Sequence, residues 1–105
     1  MELRQIQYIM QLFKDGNITR ASHKLFISQQ GLSKSINRME DELGFSLFER
    51  SSSGVMPTEA ALSLYHNFDK VASAYQDLEK AIDDMRKQHL IKLMAYQGFA
   101  LSSSQ

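Results

Sequence analysis

The 105-residue chain contains no cysteine, a single proline and five glycines. Without cysteine there can be no disulfide framework, thiolate zinc site or catalytic thiol, and redox chemistry assigns no compartment. No apolar run approaches the length needed to span a bilayer, and the N-terminus lacks a signal-peptide pattern, so a cytoplasmic location is the expectation. An excess of one charge is missing too. Twelve basic residues balance twelve acidic ones, and composition alone does not announce a nucleic-acid binder. Catalytic signals are equally scarce. His23, His66 and His89 are scattered, and none stands four residues from a carboxylate or another histidine. The glycines form no phosphate loop and no serine sits in a nucleophile elbow. No catalytic, metal or cofactor residue is expected, and the chain does not read as an enzyme. Few helix breakers and many helix formers predict a mainly α fold, with room for one small domain and one long appendage.

What is present is concentrated in residues 19–38. These read as two short amphipathic helices joined by a tight turn. Thr19 is positioned to cap the first, with Ala21 and Leu25 one turn apart on its inner face. Ser28 is positioned to cap the second, where Leu32, Ile36, Met39 and Leu43 follow a 4-3-4 spacing. Gln30, Lys34 and Asn37 then point outward, flanked by Ser33 and Arg38. A helix with an apolar back and a front of amides, hydroxyls and cations suits a DNA major groove. An ordinary helical hairpin with a solvated face is the bland alternative. Charge segregation favours the groove. Residues 19–38 hold four cations (Arg20, Lys24, Lys34, Arg38) and no acid, whereas residues 39–49 hold four acids (Glu40, Asp41, Glu42, Glu49) and no cation. Such a helix would approach phosphates head first.

Around this unit the chain divides into parts. Leu3, Ile6, Ile9, Met10 and Phe13 form a stripe for a first helix, widened by Tyr8 and Leu12 and stopped by Gly16. Two short runs, 45–50 and 55–57, flank Ser51-Ser52-Ser53-Gly54 and predict a small β-hairpin, or wing, with Leu47 and Phe48 plugging the core beneath it. Pro57 restricts its run to an edge strand, which a two-stranded wing permits. Thr58 reads as the N-cap of a long helix running to about His89. Leu62, Tyr65, Phe68, Ala72, Tyr75, Leu78, Ile82 and Met85 recur along it at steps of three and four, close to a coiled-coil seam. That stripe outruns what a small domain can cover, so a second copy of the chain is its expected partner, with folding back onto its own domain as the alternative. Ile91–Phe99 reads as the start of a buried strand and a glycine turn. The expected organisation is a winged helix-turn-helix domain in 1–57, a linker and dimerisation helix in 58–89, and in 90–105 either the start of a further domain or a disordered tail.

Several segments in this order resemble LysR-type transcriptional regulators. They are Met1-Glu2-Leu3-Arg4-Gln5-Ile6, Asn17-Ile18-Thr19-Arg20-Ala21-Ser22, Leu25, and Ile27-Ser28-Gln29-Gln30-Gly31-Leu32-Ser33-Lys34-Ser35-Ile36. Glu42-Leu43-Gly44, Leu47-Phe48-Glu49-Arg50 and Pro57-Thr58-Glu59-Ala60 complete the series. Each is weak alone, but their order and spacing over residues 1 to 90 are specific. The resemblance implies a bacterial regulator that binds double-stranded DNA at an interrupted palindrome as a homodimer through its linker helix. In a full-length protein it allows higher oligomers and contact with RNA polymerase. It further implies an effector domain after the linker, begun by residues 91–99, and places any small-molecule inducer there rather than in this chain. Carried over by position, Gln29, Gln30, Ser33 and Lys34 face base edges or adjacent phosphates. Thr19, Arg20, Ser28 and Arg38 suit phosphates, Asn37 lies further along the same face, and Arg50 and Ser53 lie on the wing.

Three departures from the family pattern bear on this. Gln30-Gly31 replaces a frequent proline and small residue, and Gly31 costs about 1 kcal/mol of helix propensity against alanine. Ser51-Ser52-Ser53 stands where many relatives carry a basic wing tip, which leaves Arg50 at the wing base, expected in a structural salt bridge, and predicts a weaker or more salt-sensitive wing contribution. Lys34 occupies a position often taken by arginine, so bidentate guanine reading is less assured. A winged-helix and coiled-coil module that docks proteins without specific DNA binding is the rival from another class.

Overall fold

In a computed structural model, which describes residues 1–103 and the side chains of residues 1–98, helix α1 spans Leu3–Asp15. Gln5 Oε1 accepts the Glu2 N–H at 2.9 Å at its start. Ile6, Ile9 and Leu12 bury one face, as their spacing predicts. Gly16 ends the helix in the left-handed region, φ 62°, and its N–H reaches the Leu12 carbonyl at 2.9 Å. Helix α2, Ile18–Leu25, begins two residues earlier than Thr19 would have set it. Its cap is Asn17, in extended backbone, whose side-chain oxygen accepts the Arg20 N–H at 2.9 Å. Thr19 is already helical and cannot adopt the cap conformation. Ala21 and Ser22 are buried, and the Ser22 hydroxyl donates to the Thr19 carbonyl at 2.8 Å.

The turn between α2 and the next helix contains an unusual residue. Phe26 has φ 58°, and it is the one non-glycine residue with positive φ among those described. The residue is 94% exposed, so packing does not compensate the strain. Helix α3, Gln29–Leu43, then starts at Ser28, whose Oγ accepts the Gly31 N–H at 2.9 Å. Leu32, Ile36 and Met39 are buried on its back, and Gly44 closes it at φ 85°.

The wing pairs strand β1, Phe48–Ser51, with β2, Gly54–Pro57, antiparallel in the register Phe48↔Pro57 through Ser51↔Gly54. Ser52-Ser53 is thus a two-residue turn. Gly54 has φ 133°, and a Cβ there would stand 2.5 Å from the Gly16 carbonyl oxygen, so only glycine lets β2 come this close to the α1–α2 turn. The next residue uses that approach, because the Val55 N–H bonds the same oxygen at 3.0 Å. Thr58 anchors the other end. Its N–H reaches the Leu47 carbonyl at 2.9 Å, its hydroxyl donates to the Ser46 carbonyl at 2.8 Å, and the same oxygen accepts the Ala61 N–H as a helix cap at 3.1 Å.

Helix α4, Glu59–Ser103, contributes to two units, Met1–Ser73 and Ala74–Gln105. In the first unit Ala61, Phe68 and Ala72 join the core, Leu64 packs against it, and Tyr65 meets Phe13 edge-on with centroids 5.0 Å apart. Phe68 (7% exposed) and Ala72 (8%), expected in the stripe that meets a second copy, are therefore committed to their own domain. In the second unit every described side chain is exposed except the half-buried Tyr75. The helix does not stop near His89, and Ile91–Phe99 is helical rather than a strand. A strand needs a neighbour to take up its N–H and C=O groups, whereas a helix satisfies them internally, and leucine, lysine, methionine, alanine and glutamine all favour it. Of the tail, Ser104 and Gln105 lie outside the described residues. No helix among those described is long and apolar enough to cross a membrane. The whole is a mainly α winged helix-turn-helix with a long C-terminal helix, as the sequence predicts.

Two outcomes are expected. The left-handed conformation costs roughly 1–2 kcal/mol for an L-residue with a Cβ, and the Phe26 ring packs on nothing, so Phe26→Gly should melt no lower than the native chain; a drop of several degrees in a circular-dichroism melt would refute this. Asp15 also makes a pH-dependent contribution. A hydrogen bond from Lys24 at 2.8 Å, and then one from Gln11 at 2.8 Å, hold its carboxyl below the usual range. Since the folded pKa lies below the unfolded value of about 3.9, the contribution is present above that value and is lost as pH falls through the folded pKa. Asp15→Asn should therefore melt below the native chain at neutral pH, and the gap should close in acid.

Candidate nucleic-acid interface

Burial of Leu32, Ile36 and Met39 orients α3 so that its remaining surface faces away from the core. Gln29, Gln30, Lys34, Asn37 and Arg38 are exposed there, and Ser33 is half-buried beside them. Gln30, Lys34 and Asn37 lie at i, i+4 and i+7 and form one row. Ser28 satisfies the first turn through its oxygen and remains exposed. The Gly31 N–H is the very group that Ser28 caps, and a Cβ on Gly31 would stand only 3.0 Å from that hydroxyl oxygen.

Helix α2 adds a second polar element. Thr19 and Arg20 are exposed in its first turn. There the leading N–H groups have no partner within the helix, which favours an anion.

The structure redistributes the charges seen in sequence. Lys24 turns to Asp15 and is neutralised locally, because the residue that pairs with it lies just outside the basic stretch. Among the described residues Arg20, Lys34 and Arg38 make no ion pair, and these three remain available. At the other end of α3, Glu40 is turned back towards the wing, while Asp41 and Glu42 are exposed. The basic head of α3 therefore survives folding, whereas in its acidic tail Glu42 pairs with the Met1 ammonium at 3.0 Å.

On the wing, Arg50 is exposed and in no ion pair among the described residues, contrary to the expected structural salt bridge. Its register partner is Val55, and no carboxylate reaches it across the two-stranded ladder. The Ser51 and Ser53 hydroxyls lie 3.0 Å apart, so Ser53 is partly engaged within its own turn. Sequence reasoning missed Glu40, which was read only as part of an acidic run. Its carboxylate Oε2 accepts the N–H groups of Leu47 and Phe48, the second at 3.1 Å.

Of the predicted dimer stripe, Leu62, Tyr65, Leu78 (54%), Ile82 and Met85 (65%) are exposed and Tyr75 is half-buried. Among the described residues, no group of three or more His, Asp or Glu is placed to hold a metal ion.

This arrangement has close counterparts among known proteins. Residues 3–62 match the family model for bacterial regulatory helix-turn-helix proteins of the lysR family. The transcriptional regulator BudR of Klebsiella aerogenes is 42% identical over 82 residues, covering 77% of this chain and 57% of that protein. The regulator DgcR of a Pseudoalteromonas species is 33% identical over 87 residues, covering 83% of this chain and 30% of that protein. Among solved structures, BenM_DBD in complex with catB site 1 DNA superposes with a TM-score of 0.73 at 32% identity, covering 81% of this chain and 96% of that one. The chain therefore spans less than two thirds of these regulators' own length, but nearly all of that DNA-bound domain. By sequence match and by fold, it belongs to the lysR family of bacterial regulatory helix-turn-helix proteins.

Proposed function

We propose that the chain is the DNA-binding portion of a transcriptional regulator that reads an interrupted palindrome as a homodimer. The observation that carries this is the outward face of α3. Gln29, Gln30, Lys34, Asn37 and Arg38 are exposed over a fully buried back, and neither cation is spent on an intramolecular ion pair among the described residues. The likeness to a domain solved on DNA supports the same reading. Glutamine amides can pair with adenine and Lys34 can donate to guanine acceptors, so Gln29, Gln30, Ser33 and Lys34 serve as base readers. Thr19, Arg20, Ser28 and Arg38 hold phosphates and set the register without reading sequence. The role is non-enzymatic and cytoplasmic, and RNA polymerase is a further partner of the full-length protein.

Dimerisation rests on the remainder of the α4 stripe, namely the exposed Leu62, Tyr65, Leu78, Ile82 and Met85 with the half-buried Tyr75. Apolar side chains at three- and four-residue steps on one helix are covered economically by a second copy, and two-fold pairing presents two reading helices to two half-sites.

Selection of bound sequences from random duplex DNA tests the reading. A two-fold-symmetric site should be enriched, with affinity falling steeply as salt rises. Lys34→Ala should weaken that site by roughly 1–3 kcal/mol while leaving the chain folded and dimeric. Unchanged binding by Lys34→Ala, or no enriched sequence, would favour a protein-docking module instead. In light scattering after size exclusion, the native chain should run as a dimer and Ile82→Glu/Met85→Glu as a monomer with an unchanged domain melt. A native monomer would remove the linker helix from the proposal.

A further inference from the structure

We infer that Glu40 is a positioning residue that locks the wing to α3, so that Arg50 meets a phosphate in fixed relation to the reading face. The inference rests on the DNA-binding reading above. Leu47 is fully buried and Phe48 nearly so. The Leu47 N–H lies ahead of β1, where no ladder partner exists, and a buried N–H requires an acceptor. Glu40 supplies it for both residues from a single carboxylate oxygen. A charged acceptor makes such bonds shorter and stronger than a neutral one.

The other anchors of the wing lead elsewhere. Val55 is tied to Gly16 in the α1–α2 turn, and Ser46 and Leu47 are tied to Thr58 ahead of α4. Among the described residues, Glu40 alone provides side-chain hydrogen bonds from α3 to β1 and to the segment that leads into it. Arg50 stands two residues beyond Phe48 in the same strand and is paired in register with Val55, so a shift at the base carries directly to it. The guanidinium is exposed and in no ion pair among the described residues. The same helix that carries Lys34 and Asn37 on its front thereby sets the height of the wing cation.

The test measures affinity of the 105-residue chain for its selected duplex against salt, at a temperature where every variant is folded by circular dichroism. Each phosphate neutralised adds about 0.9 to the slope of log affinity against log salt. Arg50→Ala should lower the slope magnitude by about two such steps, one for each protomer of the bound dimer, and Glu40→Ala should lower it equally. Arg50→Ala combined with Glu40→Ala should lower it no further than either alone. Glu40→Gln should restore the native slope, since one amide oxygen can accept both N–H groups. Ile9→Val, a mild core change away from the wing, controls for lost stability and should leave the slope native. A native slope in Glu40→Ala despite a lower melting temperature would reduce Glu40 to a stabiliser and overturn the inference. Additive losses in the double variant, or a native slope in Arg50→Ala, would overturn it too while leaving α3 recognition intact. Failure of the native chain to bind any duplex would instead sink the DNA-binding reading itself.

Discussion

Everything on the exposed side of α3 depends on the burial of its reverse. Leu32, Ile36 and Met39 occupy one helical stripe in a core shared with Ile6, Ile9 and Leu12 of α1 and Ala21 of α2. A helix rotates freely about its own axis until such a stripe is buried. Once it is, the row Gln30, Lys34, Asn37 has only one direction to face. Burying each large aliphatic side chain contributes about 1.5–3 kcal/mol, so three of them outweigh any local preference of the polar face. The reading surface is thus set by hydrophobic packing, and its polar groups are left free of structural duties.

The wing is governed by backbone polar groups more than by apolar area. Two strands of four residues cannot hold themselves together in water. This hairpin is stabilised where its ends meet the helical domain. Glu40 takes two N–H groups, the Gly16 carbonyl takes a third, and Thr58 engages the carbonyls of Ser46 and Leu47. Below it Phe48 and Phe13 meet edge-on at 5.2 Å, in line with the Phe13–Tyr65 contact of α4. Wing, first helix and the start of α4 therefore share one aromatic row.

Helix α4 divides by burial. Through Ala72 it contributes to the domain, because Ala61, Phe68 and Ala72 sit on the core side with Leu64 packed alongside. From Ala74 to Gly98 its apolar side chains are exposed, apart from the half-buried Tyr75. Exposed apolar side chains repeating along a helix are unfavourable in water, and the stripe from Leu78 to Met85 is where a partner would be most stabilising.

Much of this was legible in the amino-acid sequence. Helices α1 and α3, their glycine stops, the Ser28 and Thr58 caps, the hairpin and the outward row all depend on residues within about one turn of each other. Short-range signals of that kind are printed in the chain itself. Two short-range choices competed for the start of α2, and the adjacent glycine decided between them. Asn17 displaced Thr19 as a cap because the left-handed Gly16 left it in extended backbone. The remaining differences are tertiary. That Lys24 is spent on Asp15, that Arg50 makes no ion pair among the described residues, that Glu40 serves the wing and that Phe68 and Ala72 belong to their own core all depend on which distant or oppositely facing groups meet. Periodicity tells which residues share a face. Only the packed chain decides what that face meets, because charge pairs, buried N–H groups and apolar contacts form between segments whose proximity the fold creates.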